Sequence, residues 1–411
     1  MIVLNKNLLF IINTIELGGV ETYALRLAKE YLFQHHEKMS VLVLSRRSNS
    51  AYLLQQFLLY ANVIYLDELT FIRTDFQLPP RINSLIPFNA SAVKKRLGDV
   101  GHVHAIDEIT LVVAMRLHRI LSAIAVSVGV YHSKLFTWGG EPTSYSLRFP
   151  RYLFSTWLPK ENILFFNYAS RKEVEGYFST DFERSPVFPL GVIESGEKKI
   201  TAHAKFGKLV SIGRLVDFKT YNENVIRALP HIRTVIPQIE YHIYGDGPER
   251  KNLEKLADSL NLADIVHFHG NIEYSDFSSV LEDCWCFVGS GTAIVEAASL
   301  GMVSIVGTES SKTSSGFFHN ISGFDYNESS SDHEYEYHEL IFELLNYDLA
   351  VLSEASKNKS KIFSLSNNVN VFYNVRNEIE QPKFSFLMYV FSSFFTSLYN
   401  KINRKGGSRL G

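Results

Sequence analysis

The sequence contains very little cysteine. Its 411 residues include two cysteines, Cys284 and Cys286, which lie two residues apart on one apolar run that predicts a strand. That spacing does not suit a disulfide between them, and no set of residues shows the spacing of metal ligands. Such cysteine usage is typical of a reducing cytoplasm. We therefore expect a cytoplasmic protein without a disulfide framework, a metal or another bound cofactor.

An excess of charge of either sign is also missing. The chain has 41 Lys and Arg residues against 43 Asp and Glu residues, for a formal net charge of -2. A general nucleic-acid-binding protein would show a strongly basic balance. The composition therefore excludes that class of partner.

Long hydrophobic runs are absent as well. No run approaches the ~20 apolar residues of a membrane-spanning helix. The apolar run at 8–12 is too short for the core of a signal peptide, and no small-residue cleavage site follows it. The hydrophobic content of 46% and the length of 411 residues are nevertheless sufficient for two ordinary domains with large buried cores.

Strand and helix patterns alternate along most of the chain. This alternation is typical of βαβ units with parallel sheets and predicts an α/β protein with two Rossmann-like halves. We place the domains at 1–195 and 196–365, followed by a C-terminal segment at 366–411. Strands are predicted at 8–12, 40–44, 63–66, 102–106, 124–131 and 163–166, and then at 209–212, 240–244, 265–268, 284–288 and 303–306.

The segment 289–301, Gly-Ser-Gly-Thr-Ala-Ile-Val-Glu-Ala-Ala-Ser-Leu-Gly, joins a predicted strand to a predicted helix. Glycines at 289 and 291 leave backbone amides exposed where the helix begins, and the helix dipole favours an anion there. Glu296 could accept hydrogen bonds from the two hydroxyls of a ribose. The alternative is an ordinary turn of an α/β protein, in which the Glu only complements the dipole.

Three further segments follow predicted strands. Arg214 and Lys219 leave one strand end together and could neutralise a diphosphate, although such side chains are often merely solvated. Gly245 and Gly247 permit the close approach of a base or ribose, or simply form a turn. A third glycine pair, Gly18 and Gly19, precedes the first helix. All three positions lie where α/β sheets bind ligands.

Taken together and in this order, these segments resemble the retaining GT-B glycosyltransferases of family 4, over roughly residues 7 to 365. The GT-B resemblance implies two Rossmann-like domains whose parallel sheets face each other across a cleft. The segments that carry it are Gly-Gly-Val-Glu at 18–21, Pro-Leu-Gly-Val at 189–192, Ile-Gly-Arg-Leu at 212–215 with Lys219, Tyr-Gly-Asp-Gly-Pro at 244–248 and Glu-Ala-Ala-Ser-Leu-Gly at 296–301.

The resemblance implies a role for each matching residue. Arg214 and Lys219 would hold the donor diphosphate, and Glu296 would bind the ribose hydroxyls. His132, after a predicted strand, would touch the transferred sugar near the reaction centre, although a lone histidine there is often structural. The remaining donor-binding positions would be Gly18, Gly19, Gly245, Gly247, Ser290, Gly291, Thr292 and Ala293.

One position departs from the family pattern. The family often has a second Glu eight residues before the ribose Glu, where this sequence has Val288. Sugar contacts would then come from backbone amides near Ser290, or the donor is unusual. The resemblance also implies that no metal is needed, and that the leaving phosphate oxygen deprotonates the acceptor on the same face. No carboxylate pair stands out as a nucleophile and acid of the glycoside-hydrolase type.

The C-terminus has a different character. Apolar residues recur at helical spacing from Phe384 to Leu398, and no acidic residue follows Glu380. Basic residues flank this stretch at Lys383, Lys401, Arg404, Lys405 and Arg409. An aromatic amphipathic helix with basic flanks is typical of an interfacial membrane anchor. The alternative is a final helix packed against the protein.

The expected function is transfer of a hexosyl or related sugar from a nucleotide-diphosphate sugar to a lipid-linked glycan. The expected setting is capsule, O-antigen or other polysaccharide biosynthesis, with the enzyme peripheral at the inner face of a bacterial membrane. A non-catalytic nucleotide-sugar-binding partner of another transferase is the alternative. A nucleotide-sugar epimerase would share the two-domain layout, but it needs acid–base carboxylates that do not stand out here.

Overall fold

The computed structural model describes residues 7–16, 18–73, 78–122, 124–132, 134–137, 144–195, 205–324, 334–372, 375, 379–383 and 385–407; for 274 and 397–407 it describes the backbone alone. The chain folds into two compact units. Unit 1 comprises Met1–Leu190 and Asn368–Gly411, and unit 2 comprises Gly191–Asn367. The sequence analysis divides the chain at 195 and 365 and treats the rest as a separate segment, whereas the residues from Asn368 onward group with unit 1.

Unit 1 is built on a six-stranded sheet in the order β3-β2-β1-β4-β5-β6, and every pairing in it is parallel. Its strands are near-continuous apolar runs because helices cover both faces of such sheets. This strand order is that of a Rossmann fold. The strands are β1 (Asn7–Ile12), β2 (Ser40–Val43), β3 (Asn62–Tyr65), β4 (Val100–Ala105), β5 (Ala125–Val130) and β6 (Ile163–Phe165).

The helices of unit 1 follow its strands. Asp107 caps one of them by accepting from the Thr110 N–H at 2.8 Å. A π-helical stretch, Leu153–Trp157, continues another beyond Pro150. The helices are α1 (Gly19–His35), α2 (Ala51–Tyr60), α3 (Pro80–Asn83), α4 (Ala90–Leu97), α5 (Glu108–Leu121), α6 (Tyr145–Tyr152) and α7 (Tyr168–Phe178).

Unit 2 repeats the plan with a five-stranded parallel sheet in the order β11-β10-β7-β8-β9. Cys284 and Cys286 are buried free thiols beside and within β10. The strands are β7 (Lys208–Ile212), β8 (Glu240–Tyr244), β9 (Val266–Gly270), β10 (Cys286–Gly289) and β11 (Ser304–Val306). The helices are α8 (Tyr221–Val235), α9 (Arg250–Ser259), α10 (Phe277–Leu281), α11 (Gly291–Ser299), α12 (Tyr337–Glu343) and α13 (Leu349–Ser360), after which α14 (Leu365–Phe372) leads back to unit 1.

These elements confirm the predicted α/β class with two parallel sheets. Each predicted strand occurs with its bounds shifted by at most two residues. Each unit has its own hydrophobic core against its own sheet. No described helix is both long enough and apolar enough to span a membrane.

The last helix, α15 (Phe386–Gly407), packs on α6 of unit 1. Its buried side carries Tyr389 and Ser393, each 1% exposed. Ser392 Oγ on the same side accepts from the Ser146 N–H at 2.9 Å. The opposite side carries large apolar side chains that are 58–69% exposed: Leu387, Met388, Phe391, Phe394 and Phe395. The helix therefore turns its serines toward the protein and its aromatic side outward. Phe384 and Arg409 lie outside the described residues.

Candidate active site

The carboxyl edge of the unit 2 sheet brings several predicted residues together. β7 pairs with β8 on one side and with β10 on the other, so the strand order reverses between β7 and β10. In open α/β sheets such a reversal leaves a crevice at the strands' carboxyl ends, where ligands bind. The loop after β7 carries Arg214 and Lys219, and the loop after β10 carries Ser290 and Gly291. The fold thus positions both segments at the switch point.

The side-chain amine of Lys219 extends from the loop after β7 to the start of α11. Its Nζ is 3.5 Å from the point that a Cβ on Gly213 would occupy, and 3.9 Å from the corresponding point on Gly291. Burial lowers the pKa of the Lys219 amine from its usual value; Glu309 acts in the opposite direction, and Arg214 lowers the pKa further. Arg214 itself is exposed. The edge therefore carries one partly buried and one solvent-facing cation.

Helix α11 begins at this edge without a side-chain cap. Ser290 is its N-cap residue, in extended conformation, but its hydroxyl makes no capping bond. The Ser290 Oγ instead donates to Glu309 Oε1 at 3.0 Å. Gly291 follows with φ +65°, a left-handed conformation that favours glycine. Thr292 is exposed and Ala293 half-buried in the first turn, so the positive end of the helix dipole is directed toward the surroundings of Lys219.

Glu296 lies farther along α11 than the turn at Ser290 and Gly291. It is the sixth residue of the helix Gly291–Ser299 and is 7% exposed. A buried carboxylate must be hydrogen-bonded to be tolerated. Its contact with a ribose stays a prediction.

The structure gives Gly245 and Gly247 a packing role. A Cβ on Gly245 would collide with the Gly213 backbone oxygen, and one on Gly247 would collide with that of Leu215. The two loops are joined further by the Leu215 N–H, which donates to the Asp246 oxygen at 3.0 Å. These glycines therefore let the loop after β8 pack on the loop that carries Arg214. Direct contact with a donor stays a prediction.

Sequence reasoning missed Glu309 and Tyr221. Glu309 follows β11 by three residues and reaches the α11 terminus through Ser290. The Tyr221 hydroxyl lies 3.3 Å from the Cβ position of Gly213, and its ring fills the space beside Gly307. The reasoning that selected Arg214, a polar side chain just beyond a predicted strand, would also have selected Glu309.

The carboxyl edge of the unit 1 sheet carries the other predicted residues. Gly18 is the N-cap of α1, and its oxygen accepts from the Thr22 N–H at 3.0 Å. The carboxylate of Glu21 folds back over Gly18, so a side chain there would collide with Oε2. A Cβ on Gly19 would meet nothing within 4 Å. The predicted phosphate-facing turn thus already has a carboxylate over it.

Electrostatics at α1 are acidic. Burial raises the pKa of the Glu21 carboxyl; its own backbone N–H, which donates to it, acts the other way, while the nearby charges of Glu16 and Asp107 raise it further. A raised carboxyl pKa reports surroundings that disfavour negative charge. The charges that act on Glu21 at this turn are both acidic, and contact of Gly18 and Gly19 with a diphosphate stays a prediction.

His132 is exposed and stands two residues after β5. Its Nδ1 accepts from the Lys134 N–H at 3.1 Å, so the neutral ring carries its proton on Nε2. The adjacent Tyr131 hydroxyl pairs with Nε2 of the buried His104 at 2.9 Å. The exposed His132 can therefore donate a hydrogen bond from Nε2, and the Tyr131–His104 hydrogen bond holds the end of β5 beside it. A role near the reaction centre stays a prediction.

Among the residues that the structure describes, no three His, Cys, Asp or Glu side chains converge in a way that could hold a metal ion. At the switch point the structure instead places the Lys219 amine near the amino end of α11, with Arg214 on the same loop as Lys219. That set suits a phosphate-bearing ligand better than a divalent cation.

Comparison with known proteins assigns a class to this arrangement. Residues 193–343 match the model of the family described as "Glycosyl transferases group 1". These residues cover the switch point, α11 and Glu309. The chain therefore carries a group 1 glycosyl transferase domain in unit 2, and the predicted glycosyltransferase class is confirmed at this coarser level.

Individual proteins agree with that class. A stretch of 103 residues is 29% identical to a phosphatidylinositol N-acetylglucosaminyltransferase subunit from Arabidopsis thaliana, and it spans 24% of this chain and 23% of that relative. A glycosyltransferase structure from Rickettsia africae ESF-5 matches with a TM-score of 0.60 and 15% identity, over 90% of this chain and 98% of that one. The pneumococcal O-GlcNAc transferase GtfA, in complex with UDP and GlcNAc, matches with a TM-score of 0.54 and 12% identity, over 89% and 97%.

Proposed function

We propose that this protein is a retaining, metal-independent glycosyltransferase that takes a hexosyl or related sugar from a nucleotide-diphosphate sugar. The observation that carries the proposal is the position of Lys219, whose amine lies between the loop after β7 and the start of α11. This amine stands at the switch point of a sheet within a group 1 glycosyl transferase domain. GtfA supports the donor class, since that protein was solved with UDP and GlcNAc.

The chemistry follows from where charge develops. When the glycosidic C–O bond breaks, negative charge grows on the leaving diphosphate. Lys219, Arg214 and the amino end of α11 are fixed beforehand and would stabilise that charge in the transition state. The leaving phosphate oxygen would then take the proton of the acceptor hydroxyl on the same face. The anomeric configuration is retained because the new bond forms on that face.

A panel of nucleotide sugars tests this proposal. Purified protein is incubated with UDP-, GDP- and other nucleotide sugars, with and without a chelator, and release of the nucleoside diphosphate is followed. We expect turnover of at least one donor that the chelator leaves unchanged. Binding of a donor without turnover of any would instead support a non-catalytic partner of another transferase. Absence of binding across the panel would refute both.

The outward side of α15 supports a membrane-bound, lipid-linked acceptor. Five large apolar side chains from Leu387 to Phe395 are mostly exposed, while the serine side of the helix packs on α6. The sequence adds basic residues at both ends, from Lys383 to Arg409. An apolar face with basic flanks favours the surface of an anionic bilayer. The phosphatidylinositol in the name of the Arabidopsis relative supports the same acceptor class.

The helix would place the enzyme on the inner face of a bacterial membrane, where lipid-linked glycans of capsule or O-antigen are assembled. Cosedimentation with vesicles that contain anionic phospholipid tests this placement. We expect the double variant Phe391→Gln, Phe394→Gln to lose vesicle binding and to keep hydrolysis of the nucleotide sugar. The matched control is Phe33→Gln, since Phe33 is 63% exposed on α1 of the same unit. Equal vesicle binding by all three proteins would refute the placement.

A further inference from the structure

Lys219 needs a counter-charge that the sequence motifs do not provide. An amine taken out of water loses its proton more readily unless a negative group lies near it. Two charged groups act on it electrostatically: Arg214, which works against the protonated form, and Glu309, which favours it. The phenol of Tyr221 lies near the same Gly213 position but is neutral at ordinary pH, because burial raises its pKa to about 12.

A hydrogen bond fixes the position of the Glu309 carboxylate, in addition to its electrostatic attraction to Lys219. Its Oε1 accepts from Ser290 Oγ at 3.0 Å, and Ser290 is 1% exposed. Ser290 is the residue before Gly291, whose Cβ position lies 3.9 Å from Lys219 Nζ. The loop after β11 therefore brings a carboxylate to the amino end of α11 and fixes it there. Val288 cannot supply a carboxylate, since it is an apolar residue fully buried in β10.

We propose that Glu309 is a positioning residue that keeps Lys219 protonated and directed toward the amino end of α11, with Ser290 holding the carboxylate in place. This inference deepens the proposed function and rests on it for its catalytic meaning. It assigns the loop after β11 to the diphosphate site. It also predicts that Glu309 acts through Lys219, without touching the reacting atoms.

Titration of Lys219 in the free protein tests the proposal. Competitive acetylation with acetic anhydride at a series of pH values, quantified by mass spectrometry, follows the unprotonated fraction of each lysine. We expect the Lys219 midpoint to move to lower pH in Glu309→Gln, because the group that favours the ammonium form is gone. Glu309→Asp should return it toward the wild-type value. Should Glu309→Gln fail to fold, Glu309→Ala gives the same reading.

Two controls make the result specific. Glu334→Gln removes an exposed carboxylate of the same unit that accepts a hydrogen bond from Thr313 Oγ1 at 3.0 Å, and it should leave the Lys219 midpoint unchanged. Lys255, exposed on α9 of the same unit, serves as an internal standard. An unchanged Lys219 midpoint in Glu309→Gln, or an equal shift in Glu334→Gln, would overturn the proposal.

The same variants separate this inference from the proposed function. If donor turnover exists, its alkaline limb should move to lower pH in Glu309→Gln together with the acetylation midpoint. A shifted midpoint in a protein that binds no nucleotide sugar would confirm the local electrostatics and refute the proposed function. Turnover with an identical alkaline limb and an identical midpoint would refute the role of Glu309 alone.

Discussion

Two helix termini, one in each unit, begin beside a switch point and differ in the charged side chains around them. Helix α1 begins after β1, and α11 begins after β10; each strand adjoins its sheet's switch point, and neither helix has a side-chain N-cap bond. Over α1 lies the Glu21 carboxylate, with Glu16 and Asp107 nearby. Beside α11 lie the Lys219 amine and, bonded to Ser290, the Glu309 carboxylate. Both termini expose backbone amides, but a cation lies beside the α11 terminus, whereas the charges that act on Glu21 at the α1 terminus are acidic.

This difference bears on how a glycine-rich turn should be interpreted. Bare amides and a helix dipole favour an anion by fractions of a kcal/mol to about 2 kcal/mol, and a single nearby charge can outweigh that. The glycines at 18–19 and 289–291 look alike in sequence. Their charge environments come from residues far away in the chain, such as Asp107 and Lys219. We therefore propose the diphosphate site for unit 2, and the following variants test that proposal.

The largest effect is expected for Lys219→Met, which removes the amine and keeps most of the side-chain volume. Loss of one preorganised charge stabiliser should lower kcat by about 100- to 1,000-fold. Arg214→Ala should also lower kcat, since its charge would act on the same phosphates. Steady-state kinetics at saturating donor measure both, with Lys255→Met, an exposed lysine of α9, as the control. A near-normal kcat in Lys219→Met would show that the Lys219 amine does not stabilise the transition state.

Glu296→Ala should come next. Loss of a charged acceptor of ribose hydroxyls should weaken donor binding by about 1.5–3 kcal/mol, roughly 10- to 150-fold in Kd. Calorimetric titration with the nucleoside diphosphate gives the value, and circular dichroism checks that the variant is folded. The control is Glu334→Ala. Unchanged affinity in a folded Glu296→Ala protein would show that this buried carboxylate has a structural role.

The sequence predicted the strands well because buried parallel strands leave a local signal. The run 209–212 is short and apolar, and 240–244 alternates buried apolar with less buried residues; a glycine follows each, and β7 and β8 coincide with them to within one residue. Right-handed βαβ connections place most successive strands side by side, but the return of β4 to β1 and of β10 to β7 follows only from the expectation of Rossmann-like halves. The second boundary between the units was harder to predict. The chain returns to unit 1 within α14, and no change in amino-acid composition marks that point.

The candidate site was predictable only where a residue directly follows its strand. Arg214 and Gly291 were found in this way, whereas Glu309 was overlooked. The packing role of Gly245 and Gly247 against the loop after β7 could not be inferred, because it depends on how two loops meet. In α15 the periodicity predicted the helix and its two sides, but it could not decide which side packs on the protein.

A smaller effect distinguishes the backbones of the two termini. Gly291 has φ +65°, where a side chain is strained, whereas Gly19 has open space at its Cβ position. We expect Gly291→Ala to lower the free energy of unfolding by about 1–2 kcal/mol, and Gly19→Ala to leave it unchanged or raise it slightly. Urea unfolding measures both. Equal destabilisation by the two variants would contradict the conformations described here.

The smallest effect concerns the carboxylate over α1. The pKa of Glu21 is raised on folding from the ordinary value of 4.5, so the folded protein binds this proton more tightly than the unfolded chain does. Its contribution to stability is therefore lost as the pH rises from that ordinary value through the folded-state pKa. Glu21→Gln abolishes the titration and keeps the side-chain shape. The thermal midpoint of Glu21→Gln relative to wild type should accordingly rise between about pH 4 and neutrality, and then level off. A difference that does not change with pH, or that favours wild type at neutrality, would mean that Glu21 is well accommodated as an anion, and the contrast between the two termini would fail.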